Sequence, residues 1–260
     1  MIAAHRVLDP KRARQMAGGL CALAVMTKVP CAGKVKTRLT PLLTAVEAAA
    51  LSTCFLRDTS EAILLAAETE RVIGVAVYTP VGDEDAYRGI LPEEFLLVPQ
   101  RGEPFGERLT FAAEDLFAVG FASICLINSD SPTLPAKIYQ EAAHRLAGTG
   151  DRVVLGPSDD GGYYLIGLKR PHPEIFQAID WSTERVFSQT LERAQTIGLA
   201  VETLSTWYDV DDHQTLARLF RELFENSLDM SDAYEAPHTR AFLADLMRRD
   251  GRRQGLPNES

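Results

Sequence analysis

Short apolar runs recur along the chain and alternate with stretches of helical periodicity, and this alternation limits the possible folds more than any other feature. Runs such as CALAVMT (21–27) and VIGVAVY (72–78) are continuously apolar, as expected of strands buried on both faces of a parallel sheet. Further strand-like runs lie at 95–98, 122–127, 152–155, 163–169 and about 200–204. Strands that alternate with helices predict an α/β fold, a doubly wound and mostly parallel sheet in one domain.

The helical stretches lie between these runs. The clearest begins at Thr44, which is predicted to form a capping box with Glu47 and precedes apolar residues at helical spacing. The other predicted helices cover 106–119, 136–147, 182–198, 212–225 and 238–249. We expect an N-terminal extension (1–19), a main domain (20–225) and a C-terminal helical appendage with a polar tail (226–260). The appendage is expected either to pack on the core or to join a homodimer.

Charge and composition exclude several classes of protein. The 260 residues are 46% hydrophobic, and 36 acidic against 27 basic residues leave a net charge of −9 and a pI near 5.1, so binding to nucleic acid is not expected. No apolar run approaches the ~18 residues of a membrane span. The four cysteines form no C-x-x-C pair, which favours a reducing, cytoplasmic setting over a disulfide scaffold.

Positive charge is nevertheless concentrated in one segment, MTKVPCAGKVKTRLTP (26–41), directly after the first predicted strand. Lys28, Lys36 and Arg38 can meet phosphate oxygens, and Gly33 allows the backbone to approach a ligand closely. Ligands of open parallel sheets bind beyond the carboxyl ends of the strands, where this segment is expected to lie. The pattern predicts a phosphate-binding loop, and the alternative is an ordinary solvated basic loop.

Two acidic segments are expected at the same edge of the sheet. In NSDSPTLP (128–135), Asp130 follows a buried strand, where it could bind a hard cation such as Mg²⁺ or cap the next helix. In WYDVDD (207–212), Asp209 and Asp211 point to the same side if the segment is extended, and a cation would relieve their repulsion. Asp212 is the predicted N-cap of the following helix.

The segment GPSDDGGYY (156–164) is expected to lie beside these loops. Its tandem glycines mark either a plain β-turn or a close approach of the backbone to a ligand. In PQRGEPFGERL (99–109), the mixed charges of Arg101, Glu107 and Arg108 form a patch of a kind that is more often structural than catalytic.

Taken together, these motifs resemble a known superfamily. GKVKTRLTP and WYDVDDHQTL resemble segments of sugar-1-phosphate nucleotidylyltransferases. The set TKVPCAGKVKTRL, SDSPTLP, GPSDDGGYYLIGL and DVDD is more similar to small bacterial glycosyltransferase-like proteins, of the type associated with radical-SAM and selenodomain proteins, and to phospholactate guanylyltransferases. The motifs extend over residues 26–216. The resemblance implies the nucleotide-diphospho-sugar transferase (GT-A) fold.

The resemblance also implies roles for particular residues. The expected catalytic residues are Lys36, Arg38 and Asp130. The expected nucleotide-binding residues are Lys28, Gly33, Lys36, Thr37, Arg38, Arg101 and Gly102. The expected ligands of a Mg²⁺ or Mn²⁺ cofactor are Asp130, Asp209 and Asp211. The residues expected on the acceptor or sugar side are Asp159, Asp160, Gly161, Gly162 and Tyr163.

Three functions are compatible with this pattern. The first is Mg²⁺-dependent transfer of a nucleotidyl group from an NTP to a small phosphorylated acceptor, because several basic residues suit a triphosphate. The second is glycosyl transfer from an NDP-sugar to a small-molecule acceptor on the same scaffold. The third is a nucleotide-binding or partner-binding protein without activity, in which three acidic segments facing a basic loop would have little purpose.

Overall fold

The computed structural model describes residues 4–16, 18–40, 42–225 and 233–250, and in this part of the chain seven strands form one sheet. The strands are β1 (Cys21–Lys28), β2 (Val72–Thr79), β3 (Leu96–Pro99), β4 (Ser123–Ile127), β5 (Arg152–Pro157), β6 (Tyr163–Leu168) and β7 (Ala200–Thr203). Their order across the sheet is β3-β2-β1-β4-β6-β5-β7, and β6 alone among them is antiparallel to its neighbours. The predicted mostly parallel α/β sheet is confirmed.

The pairing of the central strands determines where the loops meet. β1 pairs in parallel with β2 from Cys21 opposite Val72 to Lys28 opposite Thr79, and with β4 on its other side. β1, β2 and β4 therefore end at the same edge of the sheet. The loops that follow β1 and β4 are the basic segment and the segment that contains Asp130.

Helices cover both faces of the sheet, which confirms the doubly wound arrangement. The helices described are α1 (Ala45–Ala67), α2 (Phe105–Val119), α3 (Ala136–Ala147), α4 (Val186–Thr196), α5 (His213–Phe224) and α6 (Pro237–Asp250). α1 and α3 pack in the core of one face, and α2 and α4 pack in the core of the other. The predicted capping box of α1 is present, with the Glu47 amide donating to Thr44 and the Glu47 carboxylate accepting from the Thr44 amide.

One helix starts later than its sequence predicts. The predicted helix at 182–198 begins at Val186. Ser182 cannot be part of it, because its φ of 65° lies in the left-handed region that an α-helix excludes. The Phe187 amide donates to the Gly161 carbonyl oxygen, so this segment crosses close to the tandem glycines.

A third apolar cluster packs against the basic loop. Leu39 in that loop, Tyr208 and Val210 are buried together with apolar residues of α1, α5 and α6. Asp212 caps α5 as predicted, accepting hydrogen bonds from the amides of Gln214 and Thr215. This cluster joins the two segments that carry Lys36 and Asp211.

The two ends of the chain also contact the core. In the expected N-terminal extension, Val7 forms a β-bridge with Leu97 and Leu8 is fully buried. In the expected C-terminal appendage, α6 packs on α1, while 226–232 and 251–260 lie outside the described residues, as does Pro41 of the basic segment. Among the described helices, none combines the length and the apolar character needed to cross a membrane.

Candidate active site

Lys36 connects the basic loop to both acidic segments. Its ammonium nitrogen lies 2.7 Å from Asp130 Oδ1 and 2.9 Å from Asp211 Oδ1, and it donates to the Val210 carbonyl oxygen at 2.8 Å. Burial opposes the charged form of Lys36, whose side chain is 5% exposed, but the two carboxylates outweigh this effect and raise its pKa above the usual value. An ammonium group has three hydrogens, and these three acceptors use all of them.

The backbone of Lys36 is strained. Its φ and ψ are 49° and 38°, in the left-handed region that a residue with a long side chain rarely adopts. Such a conformation costs roughly 1–3 kcal/mol and persists only where the surrounding structure imposes it. Here the following 3₁₀ helix, Thr37–Leu39, is anchored by the buried Leu39, so the bend directs Lys36 between the two carboxylates.

A cavity of about 350 Å³ opens beside this ion-pair cluster, at the edge where β1, β2 and β4 end. Its basic residues are Lys28, Lys36, Arg38 and Arg108. Its other lining residues are Met26, Thr27, Val35, Thr37, Ser52, Thr79, Gln100, Phe105, Ser129, Asp130 and Asp211. Basic side chains and carboxylates therefore share one cavity, an arrangement that suits a phosphate chain together with a hard cation.

Asp130 is held by a compact loop. The Ser129 hydroxyl donates to Asp130 Oδ1 at 3.2 Å, and the Val210 amide donates to the Asp130 carbonyl oxygen at 2.9 Å. Asp130 therefore does not serve as the cap of α3, whose N-cap position is Pro135. Its side chain remains 31% exposed and can reach a ligand in the cavity.

Asp209 lies where several carboxylates crowd together. One of its oxygens accepts a hydrogen bond from the Ser158 hydroxyl at 3.0 Å. Burial, followed by the negative charges of Asp160, Asp211 and Asp130, raises the pKa of Asp209 to about 6. A cation near these carboxylates would relieve the repulsion, so the chemistry of Asp130, Asp209 and Asp211 fits a divalent metal ion.

A second group of potential metal ligands lies elsewhere. Among the described residues, Asp58, Glu61 and His238 are the three whose ligand atoms all lie within 4.8 Å of one another. Asp58 accepts the amides of His238 and Thr239 at 3.0 and 2.8 Å, and Glu61 accepts from the His238 ring at 2.7 Å. These contacts cap α6 and attach it to α1, so the cluster has a structural explanation.

Three of the residues expected in the nucleotide site do not line this cavity. The Arg101 guanidinium pairs with Asp115 at 2.9 Å and stacks on the Phe111 ring, outside the cavity. Gly102 and Gly33 have φ values of 96° and 76° and do not line the cavity. The contacts of Arg101 are thus with α2 itself. Gly102 belongs to the turn before α2, where a β-carbon would lie 3.2 Å from the Arg108 amide nitrogen.

Of the residues expected on the acceptor side, some are explained by contacts within the protein and others lie near Asp209 or line a second cavity. Asp159 forms an ion pair with Arg218. A β-carbon on Gly161 would lie 2.2 Å from the Glu184 carbonyl oxygen, so the glycine allows these two backbone segments to approach each other. This contact explains the glycine without a bound ligand. Asp160 accepts from the Gly162 amide at 2.8 Å and lies near Asp209, whereas Tyr163 lines a second cavity.

The sequence analysis named Arg108 only as part of a mixed-charge patch and did not name Phe105. Both are in the first turn of α2 and line the main cavity, with the Arg108 guanidinium 5.2 Å from the centre of the Phe105 ring. Of the arginines in the 99–109 patch, Arg108 lines the cavity and Arg101 pairs with Asp115 outside it. The signal was the position of Arg108 near a helix N-terminus that follows a parallel strand, where ligands of α/β sheets bind.

Comparisons with known proteins agree with this fold. A family model described as "Uncharacterized protein conserved in bacteria (DUF2064)" matches residues 63–183. A crystal structure from Desulfovibrio desulfuricans G20, described as a "putative nucleotide-diphospho-sugar transferase", is 29% identical with a TM-score of 0.74, covering 88% of this chain and 95% of that one. No match was found among curated proteins.

More distant solved structures have TM-scores of 0.49. One is a CMP:2-keto-3-deoxy-manno-octonic acid synthetase complexed with CTP, 10% identical, with 80% of this chain and 100% of that chain covered. Another is a cytidylyltransferase from Leptospira borgpetersenii, 11% identical, with 94% and 99% covered. These two are too remote to inform function. The Desulfovibrio structure confirms that the chain has the nucleotide-diphospho-sugar transferase (GT-A) fold.

Proposed function

We propose that this protein is a transferase that binds the phosphate chain of a nucleotide donor in the main cavity. The observation that carries the proposal is the position of Lys36, which holds Asp130 and Asp211 at the wall of a cavity that also contains Lys28, Arg38 and Arg108. Among the described residues, no carboxylate lies within ion-pair distance of Lys28, Arg38 or Arg108. They are therefore available to phosphate oxygens.

The preferred reaction is nucleotidyl transfer from an NTP. An oxygen of the acceptor forms a bond to the α-phosphorus, the bond from that phosphorus to the bridging oxygen of the β-phosphate breaks, and pyrophosphate leaves. Where the attacking group is a hydroxyl, its proton is released to solvent. Lys28, Arg38 and Arg108 bind and orient the leaving phosphates and stabilise the charge that develops on them.

A divalent cation, Mg²⁺ or Mn²⁺, fits the same wall of the cavity. Asp130 and Asp211 would hold it, with Asp209 nearby. When bound, the ion supplies Lewis-acid polarisation of phosphate oxygens. The three hydrogens of Lys36 are committed to Asp130, Asp211 and Val210, which favours a role other than the phosphate binding expected from the sequence. We propose that Lys36 positions the carboxylates rather than binding the triphosphate itself.

Glycosyl transfer from an NDP-sugar is the second candidate. The description of the Desulfovibrio structure, which names nucleotide-diphospho-sugars, favours it. In that reaction the acceptor hydroxyl oxygen bonds to the anomeric carbon, the bond from that carbon to the diphosphate oxygen breaks, the NDP leaves, and the hydroxyl proton is released to solvent. The same three cations would stabilise the departing diphosphate.

Calorimetric titration with a panel of NTPs and NDP-sugars, with and without Mg²⁺, tests the proposal. We expect Mg²⁺-dependent binding of one NTP that is lost in Asp130→Ala and retained in Lys34→Ala, a control at an exposed lysine of the same loop. A preference for one NDP-sugar would move the assignment to glycosyl transfer. Absence of binding throughout the panel would refute the donor site, and binding with no product from any donor would favour a protein without activity.

A further inference from the structure

A second cavity adjoins the main one, and its chemistry is different. Its volume is about 260 Å³, and it shares Met26, Phe105, Ser129 and Asp130 with the main cavity. It lies over β4 and β6, with walls formed by Leu109, Leu126, Ile127, Ile166 and Tyr163. The two cavities meet at Asp130, where the reacting groups of donor and acceptor would have to meet.

The charges of the second cavity are all of one sign. Asp130 and Asp209 are the acidic residues among its described lining, which includes no lysine and no arginine. Asp160 adds its negative charge close to Asp209. The main cavity, in contrast, contains four basic side chains.

This difference bears on what the second cavity can accept. A phosphate monoester carries negative charge that must be paired when it leaves water, and an unpaired charge in an apolar enclosure is costly. The positive charges nearest this cavity, Lys36 and a cation held by Asp130 and Asp211, would already be paired with those carboxylates and with the donor phosphates. The described lining of the second cavity therefore offers no further positive charge to an acceptor phosphate. A neutral molecule with an apolar body would instead remove its apolar surface from water and contact the leucine and isoleucine side chains of the cavity, which is favourable.

We infer that the second cavity binds the acceptor, and that this acceptor is an unphosphorylated molecule with an apolar body that presents a hydroxyl group towards Asp130. The inference rests on the proposed transferase function. It departs from the phosphorylated acceptor expected from the sequence, because the basic residues that would bind such a phosphate all lie in the donor cavity.

A pair of aromatic probes tests the charge preference on the full-length protein, in the presence of Mg²⁺ and the nucleotide that binds in the calorimetric panel. The probes are 4-nitrophenyl β-D-glucoside, which is neutral, and 4-nitrophenyl phosphate, and binding is followed by saturation-transfer NMR. We expect the neutral probe to bind at least tenfold more tightly than the phosphate. Equal or tighter binding of the phosphate, or no binding by the glucoside and by a panel of neutral alkyl and aryl glycosides, would overturn the inference.

A variant locates the binding. Leu109→Phe fills the second cavity from α2, and we expect it to weaken binding of the neutral probe at least tenfold while nucleotide binding is unchanged. Leu116→Phe is the control, because it enlarges a buried leucine two turns further along α2, away from the cavity. If Leu109→Phe and Leu116→Phe bind the probe like the wild type, the probe binds elsewhere and the inference fails.

The two proposals fail in different ways. Loss of nucleotide binding in the wild-type protein would refute the donor site itself. Normal nucleotide binding combined with preferential binding of phosphorylated probes would refute only the acceptor class. If Leu109→Phe proves too unstable to purify, the preference of the wild-type protein between the two probes still decides.

Discussion

Lys36, whose side chain is buried, forms an ion pair with the partly exposed Asp130, with Nζ 2.7 Å from Oδ1, between the loop after β1 and the loop after β4. The same ammonium group contacts Asp211, so one side chain draws three distant segments together. Because the side chain of Lys36 is 5% exposed, this pairing is shielded from water more than a surface ion pair would be.

Replacement of Lys36 by alanine should abolish most activity at little cost to the fold. Without the ammonium group, Asp130 and Asp211 repel each other and lose their positions, so kcat/KM should fall roughly 10²–10³-fold. Both carboxylates are at least 31% exposed and can be hydrated, so the free energy of unfolding should fall by only about 1–2 kcal/mol. Steady-state kinetics and urea unfolding measure the two effects, with Lys34→Ala as control. Activity within a few-fold of wild type would contradict this role.

Arg108 and Arg101 should respond oppositely to substitution. Arg108→Ala removes a cation from the donor cavity, so the KM for the donor should rise about tenfold to a hundredfold with unchanged stability. Arg101→Ala leaves the Asp115 side chain, 7% exposed, without its partner, so it should cost about 1–3 kcal/mol of unfolding free energy and leave the donor KM unchanged. A large rise in donor KM for Arg101→Ala would restore its expected place in the nucleotide site.

Gly161 and Gly162 provide a matched pair for stability. Gly161 has a φ of 86°, and a β-carbon there would lie 2.2 Å from the Glu184 carbonyl oxygen, so Gly161→Ala should destabilise the protein by about 2–4 kcal/mol. At Gly162 the nearest atom to a β-carbon is 3.1 Å away on the Asp160 side chain, so Gly162→Ala should cost under about 1 kcal/mol. Thermal unfolding of both variants checks this order. Equal losses would show that Glu184 can move aside.

The crowding of carboxylates around Asp209 predicts a pH dependence of stability. The folded protein raises the pKa of Asp209 from 3.8 to about 6, so the native state binds this proton more tightly than the unfolded state. The contribution of Asp209 to stability therefore falls as pH rises from about 4 to 6, and above pH 6 its charge has a constant cost of at most about 3 kcal/mol.

Asp209→Asn removes this cost, because the amide oxygen can still accept from Ser158 and carries no charge. In EDTA, urea unfolding at pH 7.5 should find the variant about 1–3 kcal/mol more stable than wild type, with a smaller difference at pH 4.5. A constant difference between the two proteins across this pH range would mean that the pKa of Asp209 is not raised.

Most of the fold could be predicted because its signals are local. Continuous apolar runs, such as CALAVMT, identify strands buried on both faces, and Thr44 and Asp212 mark helix starts through hydrogen bonds that span three residues. The helix expected at 182 was the exception, because Glu184 and Phe187 lie against Gly161, a contact that no local sequence pattern indicates.

The sequence by itself determined the doubly wound sheet and brought the basic and acidic loops to one edge, since parallel strands end together whatever follows them. Only the tertiary structure decided how the charges are used. It pairs Lys36 with Asp130 and Asp211, moves Arg101 out of the cavity to Asp115, and brings Arg108 in. The physical reason is that a buried charge must pair with a group on whichever segment packs against it. That segment is determined by contacts between residues far apart in the chain, which local sequence patterns do not indicate.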